Sequence, residues 1–244
     1  MRTPERSSRG ANVTPLAKRG AGVRTIRGLD PDQRRAQRRE QLLAAALELF
    51  ADKGYLNTSI EQICQAAYVG NKAFYELFAS KEDCYAALLS KISERIKQQV
   101  RQAAQQLNEE DPDEAIGILL SVFAHAAVDD PRVAVVAFRD VGGISSEVER
   151  QRRENRRWVG SFFEQLWRRF DFERNHTIGD SAESHALALG TAGGLFEIVA
   201  SWLHGDSPHE TKVPDLISDL TAFVTLVQDG LLARHSQSGP GQTG

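Results

Sequence analysis

The sequence predicts an all-α protein of about nine helices, three forming a small N-terminal head and the others a larger body. Three observations carry this expectation. Apolar residues recur at helical period, as in Leu43, Leu47 and Phe50, with Leu42, Ala46 and Leu49 beside them. Start and stop signals bracket such stripes: Asp30-Pro31, Asp111-Pro112 and Asp130-Pro131 open helices, and Gly54 closes the first one. No stretch joins period-two alternation to β-branched enrichment, so no sheet is expected.

The elements follow in order. The first helix starts at the Asp30 cap and ends at Gly54, with Arg34, Arg35, Arg38 and Arg39 in its opening turns. Thr58-Ser-Ile-Glu61 fits a capping box with Thr58 as cap, opening a short helix that presents Ile60, Ile63 and Cys64 on one face. Tyr68-Val69-Gly70 makes a turn. A third short helix, about Asn71 to Leu77, carries Phe74, with Phe78 four residues on. Ser80 caps a long fourth helix ending near Leu107. Later helices carry Leu119, Leu120 and Phe123; then Val133, Val136 and Ala137, up to a break at Gly142-Gly143. The next is capped at Ser145 or Ser146 and runs through Trp158, Phe162 and Trp167. The last two span Ser181 to Leu203 and Pro214 to Leu232.

Charge divides the chain. Residues 1–81 hold 14 Lys+Arg and 8 Asp+Glu, and the remainder holds 16 and 25. A basic N-terminal part on an acidic body points to a polyanion partner for that part alone, although a solvated basic tail gives the same balance. The expected organisation is a disordered basic arm at 1–29, a small helical head at 30–82, a larger helical body at 83–233 and a disordered tail at 234–244. No apolar run is expected to reach the length of a membrane span, and nothing resembles a secretory signal, so the expected location is the cytoplasm with no membrane partner.

Two short helices joined by a tight turn beside a basic segment have the layout of a helix-turn-helix. The start of the second helix must then offer polar groups to base edges, and Gly70, Asn71 and Lys72 stand there. Asn pairs bidentately with adenine and Lys donates to guanine. Tyr75, one turn on, places its hydroxyl toward a phosphate, while Phe74 and Phe78 anchor the helix, which is too short to persist alone.

The segment from Leu42 to Leu89 resembles the N-terminal domain of the tetracycline-repressor family. The residues that carry the resemblance are Ala45, Leu49-Phe50, Gly54-Tyr55, Thr58-Ser59-Ile60, Ile63, Ala66-Ala67, Val69, Ala73-Phe74-Tyr75, Phe78 and Ser80-Lys81-Glu82. The resemblance implies that Tyr75 and Lys81 hold phosphates and that Thr58 caps the second helix and touches the DNA backbone. Two departures stand out. The family's turn usually reads Ala-Gly-Val-Ser, whereas here it reads Ala67-Tyr68-Val69-Gly70. Tyr68 would then take a positive φ with some strain, and Gly70 lacks a capping hydroxyl.

The resemblance also implies a homodimer through the last two helices, with Gly190, Gly194, Ile198, Trp202, Phe223 and Leu226 along the seam; packing within one chain is the rival reading. Glycine inside a helix costs roughly 1 kcal/mol against alanine, tolerable where helices must approach closely. A sensing body needs a cavity lined by aromatics with a few polar groups. Phe123, His125, Phe138, Arg139, Trp158 and Phe162, with Phe163 and Trp167, mark the expected region for a small, largely apolar effector. The run Arg150 to Arg157, interleaved with Glu147, Glu149 and Glu154, reads as a solvated, internally paired face.

An enzyme is not expected. The six histidines are scattered, no metal spacing occurs, and no Gly-rich phosphate loop follows a strand. No cofactor and no metal are implied. Cys64 and Cys84 read as small core residues, with a thiol switch as the minor alternative. The expected function is a ligand-responsive DNA-binding regulator, a repressor released from operator DNA by a small molecule. The alternative is a helical protein–protein interaction module that does not bind an operator.

Overall fold

The computed structural model describes residues 30–107, 112–139, 145–174, 182–204 and 212–237. The basic arm, Asp111, Gly142-Gly143, Ser181 and residues 238–244 lie outside the described residues. The described residues form nine α-helices: α1 (Pro31–Lys53), α2 (Ile60–Ala66), α3 (Asn71–Tyr75), α4 (Lys81–Gln106), α5 (Pro112–Val128), α6 (Pro131–Phe138), α7 (Ser146–Arg174), α8 (Ala182–His204) and α9 (Val213–Gln237). The all-α expectation holds. The last helix runs five residues past its expected end at Leu232, to Gln237.

The head forms where local signals agree. Asp30 accepts from the Gln33 N–H at 2.7 Å and Gln33 answers at the Asp30 N–H, a complete capping box before Pro31. α1 buries Leu42, Leu43, Ala46 and Phe50, and Gly54 ends it at φ 78°. One expectation is corrected. The cap of α2 is Ser59, whose box partner is Gln62, not Thr58 with Glu61. Thr58 turns inward instead. It is 2% exposed, and its hydroxyl lies 2.8 Å from the Gly54 carbonyl and 3.2 Å from that of Leu49.

α4 crosses the expected boundary at 82/83 without a break, so head and body share a helix. In the body α7 packs along α8, α5 packs on α4 and α9, and α6 lies against α1, α4, α5 and α8. Two contacts fasten α6. The Tyr85 hydroxyl on α4 donates to the Val136 carbonyl at 3.0 Å, and Arg132 pairs with Glu48 on α1.

A second correction concerns α8. From Ser184 to His204 it is long and apolar enough to cross a membrane by length and composition, contrary to the expectation for every segment. Only 28% of its apolar window is buried within the chain. Its small residues, Gly, Ala, Ser and Thr, make the run look less apolar than it is; Glu197 is its one carboxylate between Ser184 and His204.

Candidate DNA-binding head and ligand cavity

The head presents a divided third helix. Phe74 is fully buried and Phe78 is 2% exposed, and their rings lie 5.4 Å apart. They hold the five residues of α3 against the head's core, as expected. Gly70, Asn71 and Lys72 are exposed, and Tyr75 is 60% exposed. The far end of α3 is clamped from α1, where Arg35 donates to the Glu76 carbonyl at 3.2 Å. Helical period gives no sign of this contact, 41 residues away.

The turn between α2 and α3 takes the strained form expected for it. Tyr68 has φ 53°, the one non-glycine residue with positive φ among the described residues, and it is 97% exposed. Gly70 is the N-cap of α3 and supplies no side-chain cap.

Lys81, the first residue of α4, donates to the carbonyls of Tyr55 and Thr58, both at 2.8 Å, and its ammonium lies 4.2 Å from the Tyr55 ring centre. It ties the loop before α2 to α4. Thr58, expected at the DNA backbone, is 2% exposed here, with its hydroxyl bonded to the Gly54 and Leu49 carbonyls within the α1–α2 loop.

Helices α4 to α8 line a partly open cavity of about 330 Å³. Phe123, Phe138 and Trp158 line it, as expected. A second, smaller space of about 30 Å³ shares Phe123, Trp158 and Val159 with it and runs on past Phe162 to Ile116 and Leu166. Two expected residues fall elsewhere. His125 faces an outer groove between α4 and α5 and pairs with Asp129 at 2.9 Å. Arg139 ends α6 with its side chain exposed; its carbonyl, not its guanidinium, is engaged, accepting from Arg152 at 3.3 Å. Phe163, 4% exposed, lines the smaller space, and Trp167, 3% exposed, is core.

The cavity's polar wall was not anticipated. Lys97, Arg152, Asn155, Arg156 and Glu197 stand on it. Asn155 is 9% exposed and donates to Ser93 at 2.6 Å. Lys97 lies 5.5 Å over the Trp158 ring, which stacks on Phe162 at 5.5 Å. The run from Arg150 to Arg157 is therefore split. Arg150 pairs with Glu147 and Glu154 on the outer face, as expected, while Arg152, Asn155 and Arg156 turn to the cavity. The one available signal was Asn155, an amide set among charges at helical spacing from Trp158 and Phe162.

Along the expected seam, Gly190 is exposed, Leu226 is 71% exposed, and Ile198, Trp202 and Phe223 are half-buried. Gly194 serves packing within the chain: a Cβ there would lie 2.5 Å from the tip of the Phe223 ring.

Comparison with known proteins gives this geometry a context. Residues 42–88 match the family described as bacterial regulatory proteins, tetR family. The transcriptional regulator TcmR of Streptomyces glaucescens is 44% identical over 63 residues, 25% of this chain and 28% of that protein. The transcriptional activator FasR of Mycolicibacterium smegmatis is 39% identical over 69 residues, 28% of this chain and 32% of that protein. The chain thus spans less than a third of the length of these two curated relatives. Among solved structures, FadR of Bacillus subtilis in complex with stearoyl-CoA aligns at TM-score 0.60 and 20% identity, covering 79% of this chain and 96% of that one. FadR of Bacillus halodurans, a fatty acid degradation regulator, aligns at TM-score 0.63 and 22% identity, covering 80% and 94%. At these identities the likeness is one of fold.

Proposed function

We propose that the chain is a regulator of the bacterial tetR kind, whose family its residues 42–88 match, and that it is a homodimeric repressor released from operator DNA by an amphipathic small molecule. One observation carries the reading. Two of the helices that line the cavity, α4 and α6, also hold the head. A molecule that wedges α4 from α7 or moves α6 must displace the head with them. Two heads must meet half-sites about 34–36 Å apart, so a small rotation of α4 is enough to spoil the fit.

The DNA contacts proposed are Asn71 and Lys72 to base edges, and Tyr75, Lys81 and the Gly70 backbone to phosphates. The dimer is proposed through α8 and α9. A second copy would cover the apolar residues of α8 that the chain leaves bare, together with Leu189 and Leu226. The effector proposed is not the largely apolar one expected from sequence. Its apolar part would lie toward Phe162 and Ile116, and its polar head against Asn155, Arg152 and Arg156. The stearoyl-CoA held by the Bacillus subtilis neighbour makes long-chain acyl thioesters the first compounds to try.

Fluorescence polarisation with DNA from upstream of the protein's own gene, with and without stearoyl-CoA, tests the reading. Ligand and DNA must weaken each other by one common factor. A protein that binds no upstream DNA more tightly than random sequence would return the reading to a helical interaction module. FasR is named an activator, so the sign of regulation needs its own test. Deleting the gene should raise transcription from the bound promoter.

A further inference from the structure

Tyr68 stands out among the residues that neither folding nor the cavity uses. It sits in the turn between α2 and α3, three residues before Asn71, at φ 53°. A bulky side chain in this region is held at a cost that glycine or asparagine would largely avoid. Residues kept in such conformations cluster at functional positions. The neighbouring backbone explains the turn but not the tyrosine. Tyr68 donates its N–H to the Gln65 carbonyl at 3.2 Å, and Val69 donates to Cys64 at 3.0 Å, bonds that any residue would make. At 97% exposure the ring packs against nothing among the described residues, while Ala67 and Val69 on either side are buried. It therefore contributes little to folding by apolar burial, and the backbone conformation it occupies opposes folding.

The position explains what the ring is for. Tyr68 and Tyr75 stand at the two ends of α3, both exposed, with Asn71 and Lys72 between them. Any duplex that meets Asn71 and Lys72 brings a sugar–phosphate strand past the turn before them. A tyrosine reaches roughly 6 Å from its Cα, offering an apolar face to deoxyribose and a hydroxyl to a phosphate oxygen.

We propose that Tyr68 is a DNA-contacting residue that docks on the sugar–phosphate backbone beside the recognition helix, making a clamp with Tyr75. The proposal rests on the DNA-binding reading above. It assigns Tyr68 a contact that is neutral in charge and indifferent to base sequence, distinct from the base reading of Asn71 and Lys72.

The test separates folding from binding because the two effects have opposite signs. In the full chain, Tyr68→Gly and Tyr68→Asn remove the ring and relieve the φ strain. Melting temperatures equal to or above wild type are expected. Affinity for a duplex footprinted with the wild-type protein should fall about tenfold, the order of one neutral hydrogen bond plus an apolar contact. Tyr68→Phe should lose about two- to threefold, keeping the ring contact. The loss should be the same on operator variants, and the salt slope should not change, because no charge is removed. Affinity within twofold of wild type in Tyr68→Gly overturns the proposal. So does a lost affinity that comes with a lowered melting temperature, or a loss confined to one operator position. If the wild-type protein prefers no DNA over random sequence, the DNA-binding reading fails, and this proposal with it. Wild-type binding with an unaffected Tyr68→Gly removes this proposal alone.

Discussion

The ammonium of Lys81 lies 2.8 Å from the backbone carbonyl of Tyr55 and 4.2 Å from the centre of its ring. A second bond to the Thr58 carbonyl, also 2.8 Å, leaves one N–H of three for any phosphate. Lys81 thus fastens the loop that leads into α2, and on the proposed reading it also brings a positive charge to the DNA. Lys81→Ala is expected to lower stability by about 1.5–3 kcal/mol, the worth of hydrogen bonds from a charged donor. It should also reduce the salt slope of DNA binding by about one unit. Urea unfolding and a salt titration measure the two separately. An unchanged slope would leave Lys81 a purely structural residue.

The sequence made the helices legible where several local signals agree, as at Asp30, Pro31 and Gln33. It failed where two signals compete one residue apart. Thr58 and Ser59 are both good caps, and Glu61 and Gln62 are both good box partners. The choice is made by tertiary contact: Thr58 can bury its hydroxyl on Gly54 and Leu49, and Ser59 cannot do both. The cavity was half legible for a similar reason. Periodicity groups Phe123, Phe138 and Trp158, but α5 has two sides, and nothing local says that His125 faces the outer one. The polar wall was hidden because Arg152 and Arg156 alternate with residues that pair outward, and charge alone does not tell a lined cavity from a wet face. Tyr68 was legible in conformation, but its near-complete exposure was not.

Alkaline pH should unfold the protein ahead of any general charge effect. Burial pushes the Cys84 thiol up to about 12 and raises Cys64 as well. Burial also raises Tyr85 and Tyr55, with the Glu82 carboxylate adding to the rise at Tyr55. For Cys84 the unfolded chain loses its proton near 9 and the folded chain near 12, so between these values the unfolded state binds fewer protons. Stability conferred by the neutral thiol is whole below about pH 9 and lost as pH rises toward 12. Melting temperatures across this range should fall steadily, with a shallower fall in Cys84→Ala. The same burial predicts that native Cys64 and Cys84 react with Ellman's reagent only after denaturant is added; fast native reaction would revive a thiol switch.

Leu226 offers a cleaner test of the dimer than Ile198. At 71% exposure, a carboxylate in its place stays hydrated in the lone chain and should change the fold's own stability by less than about 0.5 kcal/mol. In a seam between two copies the same charge is buried without a partner and costs several kcal/mol. Leu226→Glu should sediment as a folded monomer where wild type sediments as a dimer. A Leu226→Glu dimer with normal operator affinity would place the seam elsewhere.

Gly193 gives the sharpest handle on the cavity. It lines the larger space, and a Cβ built there meets nothing within 4 Å. Its neighbour Gly194 is the opposite case, already occupied by the Phe223 ring. A side chain at 193 therefore starts in open space on a residue that lines the cavity, and in a helix leucine is favoured over glycine by roughly 0.5–1 kcal/mol. Gly193→Leu should fold at least as well as wild type. The head contacts through Tyr85 and Arg132 lie on other residues, so operator affinity should stay within about threefold of wild type, less than 1 kcal/mol. The effector response should change: the concentration of stearoyl-CoA needed to release DNA should rise at least about tenfold, as one side chain takes the space of several ligand carbons. Anilinonaphthalene sulfonate, an amphipathic anion with an aromatic body, reports occupancy of the same space by its fluorescence. Gly193→Leu that still responds to both compounds as wild type does would show that the effector binds outside this cavity. An unresponsive wild type with a dye signal abolished by Gly193→Leu would keep the site and reject only the acyl thioester.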